Sequence, residues 1–358
     1  MKKVLVSGAG GFVGARIMTQ LADRYELCSF PKGMLAAANE TAVQEHICRT
    51  QPDVILHTAA ISDTGYSEKH PEESYRANVL LPLWMAQAAK CAGAKLVCFS
   101  SDQVYTGLNE NGPFAEEQPL CPANVYGRHK WEAEQRVLSA LPDAVMLRAT
   151  WMYDLPGYGL PIHGNFVLNL LTAAMRQQTV RFSCHDYRGI TYVREAVEKL
   201  TQVMELPGGI YNFGSENDCD MYETALRACE QLNIRPDIEK QDWKRSLRMD
   251  GGKLRAAAGS GCPPAARNLQ RCRAHGNNGY RKSPFPAAAP PGGTRRRAAP
   301  ARRKVWRSRR SSPASRDRPS GAPDKRFPGA GHTLRGRTWQ SPAGPAHSRF
   351  PNTGYPTG

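Results

Sequence analysis

The chain has 358 residues, 48 Lys+Arg against 32 Asp+Glu and a formal net charge of +16. That length accommodates two domains with a cleft between them, and the charge taken whole suggests a nucleic-acid partner. Its distribution excludes that reading for most of the chain: Leu254–Gly358 holds 22 basic residues and two acids, Asp317 and Asp324, whereas Met1–Lys253 holds 26 basic and 30 acidic residues. Ten scattered cysteines show no C-x-x-C spacing, which argues against a zinc ribbon or redox pair and for reduced thiols in a cytoplasm. The opening "MKKVLVSGAGGFVG" breaks into glycines after Val6, too early for a signal peptide. No stretch approaches the ~20 apolar residues of a membrane span, so a soluble cytoplasmic protein is expected.

The first strand is predicted over 3–7, "KVLVS", and runs straight into "GAGGFVGARI". Gly8 permits a tight turn, Gly11 lets backbone approach a pyrophosphate and Gly14 lets the following helix pack on the strand, with Phe12 and Val13 between them. The helix N-terminus then offers amide donors and partial positive charge to a dinucleotide phosphate. "YELCSF" (25–30) predicts a second strand whose tip carries Lys32 and no acid. An NAD site usually places a carboxylate there for the ribose hydroxyls, so NADP(H) is favoured over NAD(H). A plain surface-turn lysine is the alternative.

"DVILHT" (53–58) and "KLVCFS" (95–100) predict strands buried on both faces, since neither alternates. The second leads into "SSDQVYTG", which places Ser100, Ser101 and Asp102 at a strand end, where parallel sheets bind ligands; capping of the next segment is the commoner fate of such serines. In "VYGRHKWEAE", Tyr126 and Lys130 stand at i and i+4 and share a helix face with Ala133, Val137 and Leu141. Alone, that pair reads equally as a core tyrosine beside a lysine reaching for water. With the glycine turn and the strand-end serine it reads as chemistry: Lys130 stabilises a phenolate and holds a nicotinamide ribose, Ser101 donates to a carbonyl oxygen, and Tyr126 supplies the proton.

"AVMLRAT" (144–150) completes an α/β doubly wound parallel sheet over residues 1–150. A smaller α/β lobe is expected over 151–257, built from helices in "NFVLNLLTAAMRQQ", "YVREAVEKLTQVMEL" and "MYETALRACEQL" and a strand "GIYNFG" (209–214). From about 258 to 358 apolar residues thin out: after Lys253 there are three leucines, one valine and no isoleucine, and a disordered basic tail is expected. A nucleic-acid arm with Trp306 and Trp339 is one explanation. Out-of-frame translation of a GC-rich gene is the favoured one, because the change in composition is abrupt and falls inside a folding lobe.

These residues resemble the extended short-chain dehydrogenase/reductase family, with a Rossmann-like cofactor domain. The motifs are Gly8, Gly11 and Gly14, Ser101 four residues before Tyr105, and Tyr126 with Lys130. Similarity in "PDVILHTAA", "ANV", "PANVYGRHKWEAE", "LRATWMY" and "RMDGGKLRAAAG" is greatest to the dTDP-4-dehydrorhamnose reductase branch and covers residues 1 to about 258. The resemblance implies reduction of a 4-keto nucleotide sugar with NAD(P)H, catalysis by Ser101, Tyr126 and Lys130, Asp102, Gln103 and Trp151 facing the sugar, and Ala59, Ala60 and Asn78 lying along the cofactor. The branch often has a magnesium-associated glutamate where this chain has Arg16, so no metal site is assigned. Gln103 replaces the branch's aromatic residue, which points to a different keto sugar. Neighbouring epimerase or dehydratase chemistry stays open, as does a non-catalytic NADP-binding subunit like that of methionine adenosyltransferase. A homodimer also stays open.

Overall fold

The apolar runs become short strands: β1 (Lys3–Ser7), β2 (Glu26–Ser29), β3 (Val54–His57), β4 (Lys95–Ser101), β5 (Val145–Ala149), β6 (Trp151–Tyr153), β7 (Thr179–Arg188), β8 (Ile190–Tyr192), β9 (Gly209–Phe213) and β10 (Asp237–Leu247). The structure, a computed structural model, describes residues 1–31, 39–157, 159–265 and 267–271. Six strands form the main sheet in the order β2-β1-β3-β4-β5-β9, every pairing parallel. Because β1 lies between β2 and β3, successive crossovers leave it in opposite directions. Sheets of this kind bind ligands at such a switch point, beyond the carboxyl ends of the strands.

Alternate residues of the strands feed two cores. Val4, Val6, Leu56, Val97 and Leu147 pack with the helices Phe12–Gln20 and Val193–Val203 on one face. Leu5, Ile55, Leu96, Cys98 and Met146 pack with the helices Glu40–Thr50 and Leu81–Ala92 on the other. Both faces are covered, which is why these strands carry unbroken apolar runs instead of a polar alternation.

The sequence places "GIYNFG" in the smaller lobe; it is instead β9, the outer strand of the main sheet, paired with β5 from Val145↔Gly209 to Ala149↔Phe213. Its apolar run is what a strand beside β5 requires, and nothing local in it reveals a partner some 60 residues away in sequence. Two parallel pairs, β6–β8 and β7–β10, pack with the helices Phe166–Arg176 and Met221–Leu232 around a third core that includes Tyr153, Phe166, Leu170, Ile190 and Tyr192. Sequence reading misses β7 and β10, because "TVRFSCHDYR" and "DIEKQDWKRSL" are charged and mostly exposed or half-exposed.

Packing also continues past residue 258, where the sequence suggests the tail begins. Ala265 and Leu269 are buried in the third core, Cys262 packs against the first, and the Asn268 amide donates to the Ser215 hydroxyl and the Pro263 carbonyl. Residues 272–358, the greater part of the expected tail, lie outside the described residues. A chain ended at 258 should therefore be less stable than one ended at 271, by about 2–5 kcal/mol for the lost Leu269 side chain alone. Urea midpoints check this; equal midpoints would mean that the 259–271 segment adds nothing.

Candidate active site

The turn after β1 is built by contact and by backbone angle. Gly8 has φ +72°, and a Cβ there would meet the Ala59 amide nitrogen and Thr58 Oγ1 at 2.9 Å. A Cβ on Gly14 would overlap the Gly8 carbonyl, so helix and strand can approach this closely only with glycine. The helix Phe12–Gln20 starts at Gly11, which has no side chain to cap it, and its first-turn amides stay available to an anion. Gly10 has nothing within 4 Å of where its Cβ would be, so the turn has an open face. An open glycine face beside uncapped amides fits a dinucleotide pyrophosphate.

At the end of β4, Ser101 begins a short 3₁₀ turn, Asp102–Tyr105, and its hydroxyl accepts the Gln103 amide at 3.2 Å. The helix Val125–Ala140 starts beside that turn, capped by Asn124, whose side chain accepts from the Gly127 amide at 2.6 Å. Gly127 is the residue that lets the two meet: any Cβ there would strike the Gln103 carbonyl. Sequence reading passed over Gly127, although it stands inside the motif, next to Tyr126. Its close approach sets the start of the helix, with Tyr126, beside the turn that Ser101 begins, and the Ser101 hydroxyl donates to Asp102 at 3.3 Å.

Tyr126 is buried, and burial raises its phenol above the ordinary value; the Ser101 hydroxyl lowers it in part, and the charge of Asp102 raises it further. The expected lowering of the phenol by Lys130 is therefore not what the free protein shows, because desolvation of the phenolate dominates. Lys130 lies with its Nζ 5.8 Å from the Tyr126 ring centre and donates to the Phe99 carbonyl at 2.9 Å. Burial brings this ammonium down to about 8, against the opposing pull of Cys98 and Glu134. It also reaches the switch point: His57, held at about 3 by burial and by the Lys130 charge, shares a 2.7 Å hydrogen bond with Ser7, the residue before the glycine turn.

Behind this group sits a buried polar network that the sequence did not disclose. Glu134 takes three contacts from Arg148 at 2.8–3.2 Å and the Ser100 hydroxyl at 2.5 Å. Arg148 also donates to the Tyr105 hydroxyl at 2.9 Å and the Glu116 carbonyl at 3.0 Å, and Tyr105 donates to the Asn212 side chain at 2.8 Å. The helix is thereby tied to β4, β5 and β9.

Of the residues expected to face a substrate, Asp102 is buried and paired with Arg188 at 2.6 Å, and the Arg188 guanidinium lies 5.2 Å from the Trp151 ring centre. Arg188, at the end of β7, is a site residue the sequence reading missed, since its strand carried no recognisable pattern. Gln103 accepts from the Asn124 side chain at 3.0 Å and so braces the cap of the Tyr126 helix. Asn78 is fully buried; it accepts from the Ile61 amide at 3.2 Å and donates to the Ile61 carbonyl at 3.0 Å, pinning the loop after β3 that carries Ala59, half-buried, and Ala60, exposed. Phe12 is buried against His163, with ring centres 4.6 Å apart, while Val13 packs against the first core. Arg16, also fully buried, donates to Asp154 at 2.8 Å and to the carbonyls of Phe12 and Pro161. Lys32 lies outside the described residues.

Lys130 holds its proton less tightly when folded, at about 8, than at its ordinary 10.5. Between those values the unfolded chain binds more protons, so the Lys130 contribution to stability rises with pH across that window. The stability of the wild type relative to Lys130→Met should accordingly increase from pH 8 to 10.5 in urea melts, and a flat difference would contradict the burial argument.

Over residues 1–257 the chain matches the family described as the RmlD substrate binding domain. It is 29% identical over 239 residues to the spore coat polysaccharide biosynthesis protein SpsK of Bacillus subtilis strain 168, covering 66% of this chain and 82% of that one. It is 28% identical over 248 residues to the dTDP-4-dehydrorhamnose reductase of Aggregatibacter actinomycetemcomitans, covering 67% and 82%. The crystal structure of dTDP-4-dehydrorhamnose reductase from Bacillus anthracis in complex with NADP is similar in fold, with a TM-score of 0.69 at 22% identity over 77% of this chain and 99% of that one. The match spans the glycine turn, the strand-end serine and the tyrosine-lysine helix alike, and the chain belongs to the RmlD substrate-binding domain family.

Proposed function

We propose that the protein is an NADP(H)-preferring reductase of a nucleotide-linked 4-keto sugar. The observation that carries this reading is the buried Tyr126 beside the turn begun by Ser101, with the Lys130 ammonium 5.8 Å from the Tyr126 ring centre. A binding module has no use for that arrangement, whereas carbonyl reduction needs each part. The RmlD family membership and the reductase relatives support it.

The main sheet with its glycine turn holds the cofactor, and the smaller lobe built on the β6–β8 and β7–β10 pairs contributes the sugar side. NADP(H), or NAD(H) as the second choice, supplies the hydride when bound, with its pyrophosphate at the Gly8–Gly14 turn. Lys130 has two N–H groups beyond the one given to Phe99, enough to hold a ribose hydroxyl. Ser101 donates to the carbonyl oxygen as negative charge develops on it. Tyr126 then passes its phenolic proton to that oxygen, giving the alcohol. The raised phenol suits this direction of reaction, because it keeps the proton in place until the oxygen becomes basic. Preference for NADP(H) rests on the sequence "CSFPKG", which carries Lys32 and no acid.

Tyr126→Phe keeps the ring and removes the proton. Turnover should fall by about 10²–10⁴-fold while NADPH binding, followed by fluorescence titration, changes by less than about twofold; a parallel loss of both would make the tyrosine structural. Substrate class is tested with dTDP-, GDP- and UDP-linked 4-keto sugars, scored by loss of NADPH or NADH absorbance. Oxidation with none of them would favour a non-catalytic NADP-binding subunit, and faster turnover with NADH would overturn the cofactor preference.

A further inference from the structure

β7 and β10 keep a parallel register except at one place. Ser183 pairs with Gln241 and His185 with Lys244, so that Cys184 alone faces two residues, Asp242 and Trp243. A bulge of this kind re-aims side chains that regular alternation would send to opposite faces. Its backbone is fixed from within, since the Ser183 hydroxyl donates to the Trp243 carbonyl and accepts the His185 amide at 3.0 Å. As a result one ligand atom each from Cys184, His185 and Asp242 lies within 4.8 Å of the other two, an arrangement found once among the described residues. His185 Nε2 is already 3.1 Å from Asp242 Oδ1. Cys184 is half-buried, and both partners are open to solvent.

We propose that this bulge binds Zn(II) through the Cys184 thiolate, the His185 imidazole and the Asp242 carboxylate, with water in the fourth position. Sulfur, nitrogen and oxygen donors together suit a borderline-soft ion and disfavour calcium or magnesium. Zinc bonds of about 2.0–2.3 Å bring tetrahedral donors to within about 4 Å of one another, so the cluster closes by roughly 1 Å. The exposed His185 and Asp242 side chains reach that by rotamer adjustment. Binding releases the Cys184 thiol proton to solvent, and the His185–Asp242 contact is replaced by two bonds to the metal. The ion would cross-link β7 to β10 beside the Asp186–Arg245 pair, whose contacts are 2.6 and 2.9 Å, on the strand that ends in Arg188. It is a staple for the lobe and takes no part in the carbonyl chemistry.

The full chain, stripped with a chelator, is titrated with Co(II) and with Zn(II). One cobalt per chain with a thiolate-to-cobalt charge-transfer band is expected, and the band should vanish in Cys184→Ser. His185→Ala and Asp242→Asn, at exposed positions, should weaken Zn(II) by about 10- to 100-fold, and Zn(II) should raise the Tm of the wild type and leave that of Cys184→Ser unmoved. Absence of the band in the wild type overturns the proposal. So does a band of unchanged affinity in Cys184→Ser or in His185→Ala, which would place the metal on other thiols of the chain.

Discussion

The buried ion pair between Glu134 and Arg148 is the contact on which the geometry of the site depends. Both side chains are nearly inaccessible, at 0% and 2% exposure, and either one left alone would be destabilised by about 3–5 kcal/mol. Neither is left alone. Arg148 on β5 fills its donors with Glu134, Tyr105 and a carbonyl, and Glu134 on the Val125–Ala140 helix accepts Ser100 as well. A pair with this many fixed partners sets the rotation of the helix about its own axis. Tyr126, Lys130 and Glu134 follow one another at four-residue intervals and so share a face. Fixing Glu134 against β5 aims the other two at the end of β4.

Two close approaches complete what the ion pair begins. Gly14 seats the first helix against the β1 turn, and Gly127 seats the start of the second helix against the 3₁₀ turn after Ser101. Each is a place where a methyl group would push helix and strand apart, and each lies next to a group with a role in the proposed chemistry. The cost of this compactness is visible in the titrating groups, since burial pushes Tyr126 up and brings Lys130 and His57 down. All three shifts favour uncharged forms. A ligand carrying phosphates or developing negative charge would reverse that balance at Lys130 first, because at about 8 it stands nearer neutrality than His57, which is held at about 3.

How much of this was legible in the sequence depended on whether the signal was local. The sheet strands announced themselves as unbroken apolar runs because both faces are covered, and Gly8, Ser101, Tyr126 and Lys130 stand out as candidates because each sits in a short motif with a mechanical reason. The helix over Met221–Leu232 matched the reading end to end. Partners distant in the chain were not legible. Nothing around Arg148 marks it as the mate of Glu134, β9 gave no sign of belonging beside β5, and the charged β7 and β10 do not look like strands until paired with each other. Arg188 was missed for the same reason as its strand.

The missed residues alter what the substrate side can do. The family resemblance turns Asp102 toward the sugar, beside Ser101. In the fold its charge is engaged by Arg188, which in turn lies over Trp151, so next to Ser101 stands an ion pair backed by an indole. A neutralised carboxylate neighbours the phenol with less opposition to negative charge on a carbonyl oxygen than a bare one would. Arg188 also belongs to β7, which β10 holds through Arg245 and Asp186. The electrostatics around Tyr126 are thus set partly by the smaller lobe, through the Arg188–Asp102 pair.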